Sequence, residues 1–171
     1  MMGSFTWIAN AFRYPAPGSL EHLRNSQSEV PTGAVKHACS AFLAQIERLS
    51  LSQWEELYTR TLDLNPQTAP YVGFQTWGEN YQRGQFLASL NQAYQPLDID
   101  LDGELPDHIV PILRYLEAEP QPIPELVEVL EPSIKRMAGI LRKADPQNPY
   151  LDLFEAVLRS IDSLQVSASQ L

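Results

Sequence analysis

The sequence contains little that could build a disulfide, a metal cluster or a membrane anchor. Cys39 is the only cysteine, which excludes an intrachain disulfide and a cysteine-based zinc or iron–sulfur site made from this chain alone. A reducing compartment fits this best. No run of about 18 apolar residues occurs, and residues 1–15 lack the basic start and long apolar stretch of a secretion signal. We therefore expect a cytoplasmic protein with no direct membrane insertion.

Glycine and histidine are too scattered for the common catalytic motifs. The eight glycines form neither the GxGxxG pattern of dinucleotide-binding folds nor a Walker loop. The three histidines, His22, His37 and His108, lie far apart and form no nucleophile signature with a serine or cysteine. We interpret Cys39 as a core residue, because its segment is apolar at helical spacing. An enzyme is therefore unsupported by the sequence, and no metal site is expected.

Basic residues are outnumbered by acidic ones. Twelve lysines and arginines stand against 21 aspartates and glutamates, a formal charge of -9. Because nucleic-acid binding needs clustered basic residues, we do not expect a nucleic-acid partner. The excess is concentrated between residues 98 and 131, where ten acidic residues accompany a single base, Arg114. Two interpretations stay open for this region: a solvated acidic surface, or an attractor for a basic peptide.

Apolar residues recur at spacings of three and four along nearly the whole chain, which predicts an all-α fold. We expect a single helical-bundle domain of about eight or nine helices over residues 1–165, with a frayed tail at 166–171. Most prolines fall between the predicted segments, where they do least harm. The predicted helices are 4–13, 19–28, 33–49, 53–63, 70–77, 79–95, 106–118, 124–144 and 149–164.

Two local features refine the helix boundaries. Ser52 and Glu55 fit a capping box at the start of the predicted helix 53–63, because each side chain can satisfy a free backbone amide. Pro132 lies inside the predicted helix 124–144 and removes an amide donor. We therefore expect a break at Pro132, as a kink or as the start of a second helix.

A short acidic stretch resembles half of a calcium-binding loop. Asp98, Asp100, Asp102 and Gly103 reproduce the first half of an EF-hand loop. The closing position, which needs a bidentate glutamate, is Ile109. An acidic loop between helices is the favoured interpretation, so we expect calcium to leave the melting temperature nearly unchanged.

Four blocks in order carry a family resemblance: YTRTLD at 58–63, WGENYQRG at 77–84, AY at 93–94 and ELPDH at 104–108. They resemble the NarJ family of nitrate reductase assembly chaperones, a branch of the wider TorD/DmsD group of molybdoenzyme chaperones. Their order and spacing match across residues 50–160. The sequence departs from the family pattern at Leu62, Trp77, Glu79, Val110 and Arg114.

The resemblance implies a non-enzymatic, cytoplasmic chaperone with a TorD-like helical fold and no permanent cofactor. It would bind the basic N-terminal, signal-like peptide of a molybdenum-containing catalytic subunit of nitrate reductase type, and hold that subunit until cofactor insertion. The alternative is a stable regulatory or structural subunit of a respiratory oxidoreductase complex. The sequence does not fix the client, and a homodimer stays open.

Recognition of such a peptide would place apolar anchors in a groove and basic residues against the acidic region. Arg83 lies near the start of the predicted helix 79–95, where the helix dipole disfavours a cation. We therefore expect it to pair with Asp63 or Asp107, although ligand contact stays open. The aromatic residues nearby could line a groove or belong to the core. The residues expected at the site are Tyr58, Asp63, Trp77, Arg83, Asp100, Asp102, Glu104, Asp107 and His108.

Overall fold

The computed structural model describes the backbone of residues 3–169 and the side chains of residues 3–164. Nine α-helices and no strand occur in this part of the chain, so the all-α prediction is confirmed. Single turns of 3-10 helix lie at 27–29 and 95–97, and a π-helical turn lies at 59–63. The helices are α1 (Ser4–Ala11), α2 (Ser19–Ser26), α3 (Ala34–Ile46), α4 (Leu51–Tyr58), α5 (Val72–Trp77), α6 (Tyr81–Tyr94), α7 (Ile109–Ala118), α8 (Pro124–Ala144) and α9 (Tyr150–Ser169).

Helix α9 packs against α3, α8 and α1, while α1 also packs against α7 and α5 against α8. The buried aromatic rings of Phe12, Phe42, Tyr150 and Phe154 meet where α9 begins, with the Phe42 and Tyr150 centroids 5.4 Å apart. Cys39 belongs to this core as predicted, and burial raises the pKa of its thiol to about 12. Among the described residues no helix has the length and apolar character needed to cross a membrane.

The frayed tail predicted at 166–171 falls at the edge of the described residues. The backbone of α9 is helical to Ser169. The side chains of that segment, and its last two residues altogether, lie outside the described part of the chain. The tail therefore stays a prediction.

The capping box predicted from Ser52 and Glu55 is wrong. The Ser50 hydroxyl accepts from the backbone amide of Gln53 at 3.1 Å, and the Gln53 side chain accepts from the Ser50 amide at 2.9 Å. The sequence offers two overlapping patterns of serine followed three residues later by Gln or Glu. The earlier start places Leu51 in the first turn of α4, where it packs against the core.

Of the two forms predicted for the break at Pro132, the start of a second helix is wrong, and the kink stays a prediction. Helix α8 continues through Pro132 without interruption. The proline is exposed, while Leu130 and Ile134 on either side of it keep one buried stripe of the helix continuous. Packing of that stripe outweighs the cost of an interior proline, which is about 3 kcal/mol.

Helix α7 begins later than predicted, at Ile109 rather than at residue 106. Pro106 therefore does not lie in its first turn. The capping residue is His108, whose Nδ1 accepts from the backbone amide of Val110 at 3.1 Å. The residues directly before it form a turn over 105–108, and that turn contributes to the candidate site.

Candidate functional site

An isolated antiparallel bridge joins the beginning of α5 to the beginning of α7. Tyr71 pairs with His108 in this bridge. The backbone amide of Val72 donates to the carbonyl oxygen of Asp107 at 2.9 Å. Pro106 and Asp107 form the centre of a turn in which the amide of His108 donates to the carbonyl of Leu105 at 3.0 Å, so they precede the helix and do not start it. The bridge brings the block at 104–108 against the start of α5, and Arg83 of the block at 77–84 then contacts Asp107.

Arg83 and Asp107 form a buried ion pair with two hydrogen bonds. Arg83 Nε donates to Asp107 Oδ2 at 2.9 Å, and Nη2 donates to Oδ1 at 3.2 Å. Asp107 is fully buried, and Arg83 is only 7% exposed. Burial alone would lower the pKa of Arg83, but the hydrogen bond and charge of Asp107 outweigh it and raise that pKa. Of the two partners predicted for Arg83, Asp107 is confirmed.

A glycine lets α5 approach this ion pair closely. A Cβ at Gly73 would lie 2.7 Å from Asp107 Oδ2 and 3.0 Å from a ring carbon of Phe86. Real Cβ atoms essentially never lie that close to another heavy atom, so any larger residue would shift the carboxylate. Gly73 therefore helps to set the position of Asp107.

Aromatic rings and a further carboxylate surround the guanidinium of Arg83. Its Cζ lies 5.8 Å from the ring centroid of Tyr71 and 5.6 Å from that of Phe74. Arg83 Nη1 donates to the exposed carboxylate of Glu79 at 2.9 Å. The hydroxyl of Tyr71 donates to Glu104, and burial followed by this hydrogen bond raises the pKa of Tyr71. Glu79 is thus held at the guanidinium itself, and Glu104 at the hydroxyl of Tyr71.

His108 is a buried, neutral capping residue. Burial lowers its pKa to about 4, against the opposing attraction of Asp107 and Asp102. Neutral imidazole is required here because Nδ1 accepts a hydrogen bond from the amide of Val110. The ring also meets Tyr71 edge-on, with centroids 5.0 Å apart. His108 therefore supports the start of α7 instead of facing a ligand.

A cleft of about 290 Å³ opens beside the ion pair. Two exposed leucines contribute to its wall, since Leu64 is 72% and Leu105 48% exposed. The carboxylates of Asp63 and Glu79 lie on the same cleft. An apolar wall with an acidic rim can accept apolar side chains and nearby cations of one ligand. The lining residues are Asp63, Leu64, Pro66, Ala69, Tyr71, Phe74, Glu79, Arg83 and Leu105.

Residues 98–105, which we name the acidic loop, are partly neutralised by two arginines from elsewhere in the chain. Arg13 Nε lies 3.0 Å from Asp102 Oδ2. Arg114 donates to the backbone carbonyl of Asp100 at 2.8 Å, and its guanidinium lies 3.9 Å from Asp102 and 4.0 Å from Asp100. Within the described side chains, no three His, Cys, Asp or Glu groups converge in a way that could hold a metal ion.

Tyr58 lies where the acidic loop meets the core. Its ring is buried and contacts Tyr14 edge-on, with centroids 5.1 Å apart. Its pKa is raised to about 12, first by burial and then by the carboxylates of Glu104, Asp63 and Asp102. Three acidic residues of the predicted site are therefore close enough to Tyr58 to act on its hydroxyl.

The structure brings together seven of the nine predicted site residues. Trp77 is separate, because its ring packs against Phe86 with centroids 5.2 Å apart and does not line the cleft. Asp100 is exposed on the acidic loop beside Arg114. The seven that come together are the exposed Asp63, the half-buried Asp102 and Glu104, and the buried Tyr58, Arg83, Asp107 and His108.

Sequence reasoning missed the two exposed leucines of the cleft. The π-helical turn at 59–63 explains the exposure of Leu64. The amide of Leu64 donates to the carbonyl of Thr59 at 2.9 Å, across five residues. This wider turn shifts Leu64 out of the buried stripe that α4 begins. An apolar spacing pattern assumes a regular helix, so it assigns such a leucine to the core.

Comparisons with known proteins leave the family of the chain open. No protein-family model matches the chain, and no curated protein matches its sequence. The likeness of the four blocks to the NarJ family therefore stays a resemblance. The geometry adds that three of these blocks, at 58–63, 77–84 and 104–108, contribute to one buried ion pair and one cleft.

Proposed function

We propose that the protein is a peptide-binding chaperone whose cleft receives a basic, amphipathic segment of its client. The observation that carries this proposal is the presence of exposed Leu64 and Leu105 on the same cleft as the carboxylates of Asp63 and Glu79. Apolar side chains of a ligand gain free energy by covering the leucines. Its cations gain by approaching the carboxylates, and this also steers association.

The size of the cleft fits anchor side chains and not a whole peptide. A volume of about 290 Å³ lies at the lower end of ligand pockets. The rest of a bound helix would lie across the surface beside the acidic loop, in the mode where an amphipathic helix inserts its apolar side chains into a groove. The exposed carboxylates of Asp98 and Asp100 would then attract the ligand from a distance.

The client that we propose is the catalytic subunit of a molybdenum-containing oxidoreductase of nitrate reductase type, recognised through its basic N-terminal peptide in the cytoplasm. The support is the resemblance of the sequence blocks to the NarJ family, together with the all-α fold that this resemblance implies. The proposal makes the protein a maturation factor without catalytic activity or a cofactor of its own. Three buried titratable groups of the site have structural partners, since His108 caps α7 and Arg83 binds Asp107.

A stable regulatory or structural subunit of an oxidoreductase complex is the second candidate. The exposure of Leu64 and Leu105 favours it equally, because a permanent interface would also cover them. Purification of the mature, cofactor-loaded client separates the two candidates. A chaperone is absent from that complex, whereas a subunit remains in it at a fixed ratio.

Titration of a synthetic amphipathic peptide tests the proposal. The probe contains arginine, leucine and alanine, with two adjacent arginines followed by leucines at helical spacing. We expect saturable binding to the wild type and a loss of about tenfold or more in affinity for the Leu64→Ser/Leu105→Ser variant. The matched control is Tyr81→Ser, which changes an exposed side chain outside the cleft and should bind as the wild type does. No binding to folded wild type, or equal binding by the leucine variant, contradicts the proposal.

A further inference from the structure

Arg13 and Tyr14 already occupy part of the surface that a basic ligand would need. They lie in the loop between α1 and α2. Arg13 Nε lies 3.0 Å from the carboxylate of Asp102, and the ring of Tyr14 meets Tyr58 with centroids 5.1 Å apart. Two adjacent residues thus present one guanidinium and one aromatic ring to two residues of the predicted site. A basic amphipathic peptide would offer the same two kinds of group.

The contacts of Arg13 and Tyr14 are exposed enough for groups of a ligand to replace them. The side chain of Arg13 is 50% exposed, and Tyr14 is 54% exposed. The Tyr14 hydroxyl lies 3.5 Å from a carboxylate oxygen of Glu55, at the outer limit of a hydrogen bond. Ion pairs with this exposure contribute little, because solvent screens them and ordering the side chains costs entropy. A second cation can therefore replace Arg13 at small cost.

Arg114 is the other cation near Asp102, but it is less suited to exchange. Its side chain is only 22% exposed, and it donates to the backbone carbonyl of Asp100 at 2.8 Å. Its distance to the Asp102 carboxylate is 3.9 Å, longer than that of Arg13. Arg114 is thus anchored to the backbone of the acidic loop, and Arg13 is the cation that can leave.

We propose that the Arg13-Tyr14 segment is an internal competitor of the basic ligand. In the free protein it covers Asp102 and Tyr58, and the ligand displaces it on binding. This inference rests on the proposed function, because a competitor needs a ligand. The consequence is a lower apparent affinity, because only the fraction of protein with the segment displaced can bind, and that fraction scales the affinity of every ligand that needs Asp102.

The test compares Arg13→Gln with Arg24→Gln. Arg24 is a matched control, since its Nε lies 3.0 Å from Glu47 and its side chain is 53% exposed. Titration of the synthetic arginine–leucine peptide at low salt should give an affinity about two- to fivefold higher for Arg13→Gln than for the wild type, the range that one exposed ion pair allows. Arg24→Gln should equal the wild type. The difference should shrink at high salt.

The other outcomes overturn the inference. They also show whether the inference fails alone or together with the proposed function. Peptide binding to the wild type with an equal or lower affinity for Arg13→Gln removes the competitor and leaves the chaperone. Absence of peptide binding to every folded variant removes both the competitor and the chaperone.

Displacement itself is read from the Nε–H signal of Arg13 in nitrogen-15 spectra. Saturating peptide should move it toward its position in Asp102→Asn while the Arg24 signal stays unchanged, and an unmoved Arg13 signal contradicts displacement.

Discussion

The site contains two arginine–aspartate pairs with opposite surroundings. In the Arg83–Asp107 pair the side chains are 9% and 0% exposed, whereas in the Arg13–Asp102 pair they are 50% and 24% exposed. Removing one partner of a buried pair leaves an uncompensated charge, so such a pair cannot exchange with an incoming cation. An exposed pair exchanges at little cost. Burial and not residue type therefore separates the part of the site that holds the fold from the part that can meet a ligand.

The largest effect is expected from a substitution that breaks the buried Arg83–Asp107 pair. Arg83→Ala leaves the Asp107 carboxylate buried without its cation, which should lower the free energy of unfolding by about 3–5 kcal/mol. Arg24→Ala removes a cation from an exposed pair and should cost at most about 1 kcal/mol. Urea denaturation measures both. If Arg83→Ala lowered the free energy of unfolding by less than Arg24→Ala does, water would have to reach Asp107. The contrast between the two pairs would then disappear.

The buried side of the site should also give the protein a characteristic pH dependence. The pKa of His108 is lowered to about 4, so the unfolded chain binds a proton there at a pH where the folded chain does not. Stability should therefore fall as the pH falls from about 6.5 to about 4, by roughly 3 kcal/mol from this group. Below about pH 4, the protonation of His108 causes no further change in the free energy of unfolding.

Substitution of the histidine isolates its share of that dependence. His108→Asn keeps a side-chain acceptor for the helix cap but does not titrate. Its free energy of unfolding should change less steeply between pH 6.5 and pH 4.5 than that of the wild type. The control is His37→Asn, because His37 is exposed and lies on α3, which contributes no residue to the cleft. Equal slopes for the wild type and His108→Asn would contradict a buried neutral imidazole.

A smaller effect tests the close approach of α5 to the ion pair. Gly73→Ala places a Cβ 2.7 Å from Asp107 Oδ2 and should destabilise by about 1–3 kcal/mol. Gly139→Ala, at an open position within α8, should stabilise by about 0.5–1 kcal/mol because alanine favours a helix. Thermal unfolding compares the two variants. A neutral Gly73→Ala would show that Asp107 can move, which conflicts with its role as a fixed partner of Arg83.

The sequence predicts the helices well because apolar spacing and proline positions are properties of short segments. It also restricts the partners of Arg83 to two, since a cation near a helix start needs a nearby carboxylate. It does not choose between Asp63 and Asp107, because that choice depends on the bridge between Tyr71 and His108, which are distant in the chain.

Charge counting has a similar limit. Asp102 and Asp107 contribute equally to the acidic excess at residues 98–131, yet Asp102 is partly exposed and Asp107 is fully buried. The count predicts an acidic region but not which carboxylates a ligand could reach. The exposure of Leu64 is harder still to predict from the sequence, because the π-helical turn before it breaks the regular spacing that sequence patterns assume.

The central claim is that the carboxylates of the cleft and of the acidic loop steer a basic peptide onto the leucines of the cleft. The most direct measurement is the association rate of the synthetic arginine–leucine peptide, at low and high salt, with Asp63→Asn/Asp100→Asn/Glu104→Gln. This variant leaves Asp102 and Asp107 in place, so both arginine pairs stay intact. The matched control neutralises Glu21, Glu29 and Glu47, which are exposed and lie outside residues 98–131.

The account predicts that the site variant associates roughly tenfold more slowly than the wild type at low salt, with a smaller change in dissociation. The difference should nearly vanish at high salt, and the control should associate much as the wild type does. Equal and salt-insensitive association of the wild type and the site variant would contradict the electrostatic part of the claim. Absence of binding to the folded wild type would contradict the claim as a whole.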